Sequence, residues 1–145
     1  MSRINTLIGI SAILALLMVG STPAQSGTRI HYSKLYNPNT VEKVKGEVVS
    51  LEKTISGNGR TYCQTLTLKT EKGRLWVILK PENFTPPTIL SLHPRDQLEI
   101  TGSRVALPGM TALIAARVKK GADTMILRDL SGRPAWAVGD DWHTR

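Results

Sequence analysis

The sequence predicts an all-β fold: a small five-stranded barrel with one short helical connector and a trailing hairpin, preceded by an N-terminal signal or anchor segment. Three observations predict it. From Thr40 onward the chain breaks into short alternating segments bounded by turn residues, the pattern of strands and hairpins. Aromatics make up only 5% of a chain that is 41% hydrophobic, so the core rests on Val, Leu and Ile. The 145 residues leave about 120 after a leader, enough for one core.

The leader comes first. Arg3 supplies a positive start, the run Leu7 to Gly20 is apolar, and Ser21, Thr22, Pro23, Ala24, Gln25 and Ser26 are small or polar. That order is a secretory signal, expected over residues 1–26. Cuts after Ala24 or after Ser26 both fit. Bilayer spanning takes ~20 apolar residues, so the short run favours cleavage, with membrane anchoring through residues 4–20 as the competing reading. Both place the domain outside the cytoplasm. Residues 27–39 are polar, end in Asn37-Pro38-Asn39 and read as a linker or arm.

The domain expected over 40–137 opens with a first strand from about Val41 to Lys53. Its apolar residues change face near Val48-Val49, with Gly46 just before, which predicts a bulge or sharp bend. Ser56-Gly57-Asn58-Gly59 is a turn. A second strand, Tyr62 to Thr70, directs Leu66 and Leu68 inward. A tight hairpin at Glu71-Lys72-Gly73 leads to a third, Arg74 to Lys80, with Leu75, Val77 and Leu79 on one face and Trp76 and Ile78 on the other. Pro81 to Pro94 is the least strand-like part and has room for one short helix, limited by Pro86-Pro87. A fourth strand spans Gln97 to Val105, a fifth Thr111 to Lys119, and a turn at Lys120-Gly121-Ala122-Asp123 opens a trailing segment from Thr124 to Asp129. Three strands, a connector, two more strands and a hairpin is the element order of an OB-fold. A small sandwich is the alternative. Residues 138–145 read as a flexible tail.

Val44-Lys45-Gly46-Glu47-Val48, the stretch Asp96 to Val105, the stretch Ala112 to Gly121, and Leu127-Arg128-Asp129-Leu130-Ser131-Gly132-Arg133-Pro134-Ala135-Trp136 together resemble a group of exported bacterial OB-fold proteins. The best-defined members of that group, MamS and the similar domain of MamX, belong to magnetosome gene clusters. The likeness covers roughly residues 36–137. It implies a role in magnetite crystal growth or size in a magnetosome or periplasm-continuous lumen. MamX-type relatives carry Cys-x-x-Cys-His haem motifs; this chain has one cysteine, so no cofactor is carried over. Asn83-Phe84-Thr85-Pro86-Pro87 also departs from the aromatic helical segment of the group.

The formal charge is +8, one less without Arg3, which favours anionic partners without choosing among them. Export argues against nucleic acid. Strands 2 and 3 form the face on which OB-folds stack bases and sugars, so Tyr62, Trp76 and Ile78, with Arg60, Lys69 and Arg74, are candidate ligand-binding residues. The competing reading has Trp76 and Ile78 covered by the arm with its Tyr32 and Tyr36, or by a partner chain. Asp140, Asp141 and His143 cluster at the end of the tail and are a candidate metal site, set against a mobile chain end. The lone Cys63 packs as a small apolar residue, with pairing between two chains as a homodimer link or binding of a metal as the competing readings. No phosphate loop, metal-binding helix pair or nucleophile elbow is present. The expectation is a non-enzymatic accessory protein working through other proteins of its compartment; the alternative is a periplasmic OB-fold module binding an anionic oligomer or small ligand in stress tolerance.

Overall fold

In a computed structural model the described residues are 32–55 and 59–137. The leader, the tail carrying Asp140, Asp141 and His143, and most of the turn at Ser56-Gly57-Asn58 lie outside them. Six strands follow a short helix and a 3-10 turn: α1 (Tyr32–Leu35), the turn Pro38–Thr40, β1 (Val41–Ile55), β2 (Tyr62–Thr70), β3 (Gly73–Pro81), β4 (Gln97–Leu107), β5 (Met110–Lys120) and β6 (Asp123–Ile126). Successive residues of each strand point to opposite faces; in β3 and β5 both faces are buried over part of their length, from Val77 to Lys80 and from Ala112 to Ala116.

The strand order is β3-β2-β1-β4-β5-β6, and a parallel pairing of β3 with β5 closes the first five into a ring. β5 divides its free edge in two. Ala112 to Ile114 pair with Trp76 to Ile78 of β3, and Arg117 to Lys120 pair with β6. The barrel is therefore five-stranded, with β6 as a trailing hairpin strand, as the sequence predicts.

β1 is long enough to serve both sides because it bends. Val41 to Glu47 pair with β4, while Glu47 to Ile55 pair with β2, and the register shifts between Val48 and Ser50. This is the bulge expected at Val48-Val49. The irregular backbone is not left unpaired: the Val48 amide donates to Asp96 O (2.9 Å) and the Arg95 amide donates to Val48 O (2.8 Å). The end of the β3–β4 connector thus locks the bend of β1. A second register shift, between Thr101 and Gly102, sits where β4 crosses β5. A Cβ at Gly102 would collide with the Ile114 carbonyl, so the two backbones approach this closely only because that position is glycine.

The interior is filled by Val44, Val48, Leu66, Leu68, Val77, Leu113 and their neighbours, with Trp136 packed against one side. The connector differs from expectation. Residues 82–96 hold turns and extended chain with no helix, and the one α-helix among the described residues lies in the arm at Tyr32–Leu35. Pro86, Pro87 and Pro94 remove amide donors and disfavour helix before them, and Leu90 and Leu92 are drawn down onto the core as extended chain. β6 also ends earlier than the sequence suggests, at Ile126, because Leu127 and Arg128 turn inward with both amides donating to Ala116 O.

Candidate functional site

The outer surface of β3 and β5 carries a second apolar cluster. Cys63, Ile78, Ala112, Ile114, Ala116, Val105 and Tyr36 are buried there, with Tyr32, Trp76, Val41 and Leu107 at its margin. Alternation puts Ile78 on the outer face, as expected, but it has 0% exposure and is corrected as a direct ligand contact. The arm covers it. Asn37 caps the 3-10 turn by accepting from the Asn39 amide and donates its own amide to Ser103 Oγ of β4, which holds the arm down. Tyr36 fits against Gly132, where any Cβ would strike its ring. Tyr32 meets Trp76 edge to face, with ring centroids 6.0 Å apart.

Arg128 closes the seam between the two clusters. It is fully buried, and its Nη1 donates to Leu79 O (3.1 Å) and Ala115 O (2.6 Å). The parallel ladder ends at Ile78 and Ile114, so these are the next carbonyls along each strand. The guanidinium continues the ladder where the strands part. Its face lies 4.7 Å from the Trp136 ring centroid, a desolvated cation–π contact. Burial pulls the Arg128 pKa down to about 10, still far above neutrality, so the group stays charged. Burial pushes the nearby Cys63 thiol up to about 11. Cys63 is therefore a protonated, buried thiol, which opposes thiolate chemistry.

Beside this covered area lies an open groove of about 480 Å³ lined by Glu52, Thr67, Arg74, Trp76, Arg104 and Met110, among others. Arg104 reaches it from β4 and is held by Glu42, with Nε 2.9 Å from the carboxylate. That bond holds the Glu42 carboxyl below its ordinary range and raises the Arg104 pKa. Glu52 accepts from Ser50 Oγ (2.7 Å) and Thr67 Oγ1 (3.2 Å). Chemically the groove offers the Arg74 guanidinium, an Arg104 guanidinium already paired with Glu42, the Glu52 carboxylate, an aromatic edge at Trp76 and a thioether at Met110, a mixed polar and apolar surface.

Of the residues singled out in the sequence, the groove brings Arg74 and Trp76 together. Lys69 is exposed directly across the ladder from Arg74. Arg60 and Tyr62 are exposed at the opposite end of β2. Tyr62 lies five residues from Thr67, the partner of Trp76, or about 17 Å at the ordinary strand rise. The six do not form one platform. Arg104, Met110 and Glu52 were not anticipated, since β4 and β5 become neighbours of β3 only once the ring closes. Among the described residues there is no cluster of three or more His, Cys, Asp and Glu that could hold a metal ion, and no helix long and apolar enough to cross a membrane.

No curated protein matches the chain significantly, and no solved structure does. The MamS/MamX magnetosome protein family matches residues 40–125, more than half of the chain and nearly all of the six strands. Tyr36 of the outer cluster, Arg128 of the seam and Trp136 against the interior fall outside the matched span. With a match of that extent over the whole barrel, the chain belongs to the MamS/MamX magnetosome protein family.

Proposed function

We propose that the protein is a non-enzymatic accessory protein of the magnetosome or a periplasm-continuous lumen, exported by way of residues 1–26, and that it influences magnetite crystal growth or size through partner proteins. The family match over residues 40–125 carries this reading. Charge supports the indirect route. Iron is held mainly by carboxylates, whereas this chain has 11 acidic against 19 basic residues, a balance suited to an acidic protein surface rather than to nucleating mineral. The groove at Arg74, Trp76 and Arg104 is the surface such a partner would meet. Deleting the gene and measuring crystals by electron microscopy tests the reading: an altered size distribution, restored by the gene, is expected. Crystals of unchanged size would contradict it.

A second reading, a periplasmic module for an anionic oligomer or small ligand, draws on the same groove. A fluorescently tagged chain separates the two, since a line of vesicles fits the first and a diffuse envelope signal fits the second.

A further inference from the structure

A second cleft opens at the mouth of the barrel, where the bent end of β1 and strand β6 stand apart and the connector bridges them. Its walls are Leu51, Glu52, Lys53, Gln64, Thr65, Leu79, Lys80 and Met125 from the strands and Ile89, Leu90 and Leu92 from the connector, around a volume of about 310 Å³. The Glu52 carboxylate at its rim is engaged by the Ser50 and Thr67 hydroxyls. The lining is mostly apolar with a few polar groups, the usual make-up of a small-molecule site of this size.

Two of those polar groups are buried and incompletely used. Thr65 is 1% exposed and its Oγ1 has no partner among the described residues, an unfavourable arrangement unless something fills it. Lys80 is 8% exposed, and its Nζ donates to Phe84 O (2.6 Å) and Pro81 O (3.3 Å). An ammonium has three hydrogens, so one remains. Among the described residues no carboxylate bonds Lys80; that of Glu82 is taken by Lys53. Cys63, close enough to act on the ammonium, is a neutral thiol below pH 9. The Glu82 carboxylate acts on the ammonium only through space, and the hydrogen bonds themselves come from neutral carbonyls, which leaves a buried cation able to take an anion directly.

We propose that this cleft binds a small organic carboxylate with an apolar tail, its head met by the Lys80 ammonium and the Thr65 hydroxyl, its tail lying against Ile89, Leu90, Leu92 and Met125. Two donors match the two oxygens of a carboxylate, whereas a phosphate would leave acceptor oxygens facing leucine side chains. The site adjoins the groove at Arg74 across Glu52, which lines both, but its Lys80 and Thr65 take no part in that groove, and it does not depend on the crystal-growth reading.

Calorimetric titration of decanoate, decanol and acetate into the full chain and into Lys80→Met tests it. Any partitioning into the apolar leader is common to both proteins and cancels in the comparison. Decanoate should bind the unaltered chain about tenfold or more tighter than either decanol or acetate, and Lys80→Met should abolish that preference for the charged head. Equal affinities for decanoate and decanol, or a preference that survives in Lys80→Met, would overturn the proposal. Ile89→Asp guards against a variant that fails to fold, because Ile89 is exposed at the rim. It should weaken decanoate binding at an unchanged unfolding midpoint, and unchanged binding there would also overturn the site.

Discussion

The barrel has two apolar clusters that differ in how they are made. The interior is built by alternation within strands: Leu66, Leu68, Val77, Leu113 and Val118 take every second position and meet when the sheet curls. The outer cluster on β3 and β5 is built by distance. Ile78 and Ile114 come from strands, but Tyr36 comes from the arm, and Arg128 with the loop to Gly132 comes from beyond β6. A barrel wall normally turns such positions to solvent; here the two chain flanks fold back and bury them. These flanks lie on either side of the family match, which spans residues 40–125. The barrel therefore carries the family likeness, and the flanks decide which part of its outer face remains open.

The largest way to break that contrast is Arg128→Met. It removes the buried charge and leaves the Leu79 and Ala115 carbonyls without a donor, each costing about 1–3 kcal/mol. Chemical denaturation should show a loss of about 2–5 kcal/mol. A loss below about 0.5 kcal/mol, the scale of an ordinary surface change, would mean that the seam does not need its bridge.

A smaller effect appears with pH. Burial raises the Cys63 thiol from its ordinary 9.0 to about 11, so between those values the folded chain keeps a proton that the unfolded chain releases. Stability from this group is full below pH 9 and falls as pH rises toward 11, by about 2–3 kcal/mol in all. Stability measured at several pH values should therefore decline less steeply across that window in Cys63→Ala than in the unaltered chain. Parallel profiles would show that the thiol is not shielded from water.

Much of the interior was legible because period-2 patterning has one cause and acts locally. β2 runs from Tyr62 to Thr70 in both readings, and the change of face at Val48-Val49 announced the bulge. The outer cluster was less legible for a physical reason. A charged residue such as Arg128 reads as solvated, and only closure of the ring reveals that carbonyls of β3 and β5 wait beside it. Ile78 was placed on the correct face, yet its burial depends on an arm whose polar composition reads as a linker. The connector was misread because room for a helix says little where Pro86, Pro87 and Pro94 and two core-seeking leucines favour extended chain. In the groove, Arg74 and Trp76 lie two apart on one strand and were seen; Arg104 and Met110 arrive through strand order.

Leu113 and Ile114 are adjacent on β5, both fully buried, and oppose Val77 and Ile78 across the same ladder. One faces the interior and the other the arm. The central claim, that the covered outer face is a true second core, is tested most directly by comparing Leu113→Ala with Ile114→Ala in equilibrium unfolding. Both should cost about 2–5 kcal/mol, the range for truncating a buried leucine or isoleucine. A full loss for Leu113→Ala beside less than about 1 kcal/mol for Ile114→Ala, a value closer to surface substitutions, would contradict it.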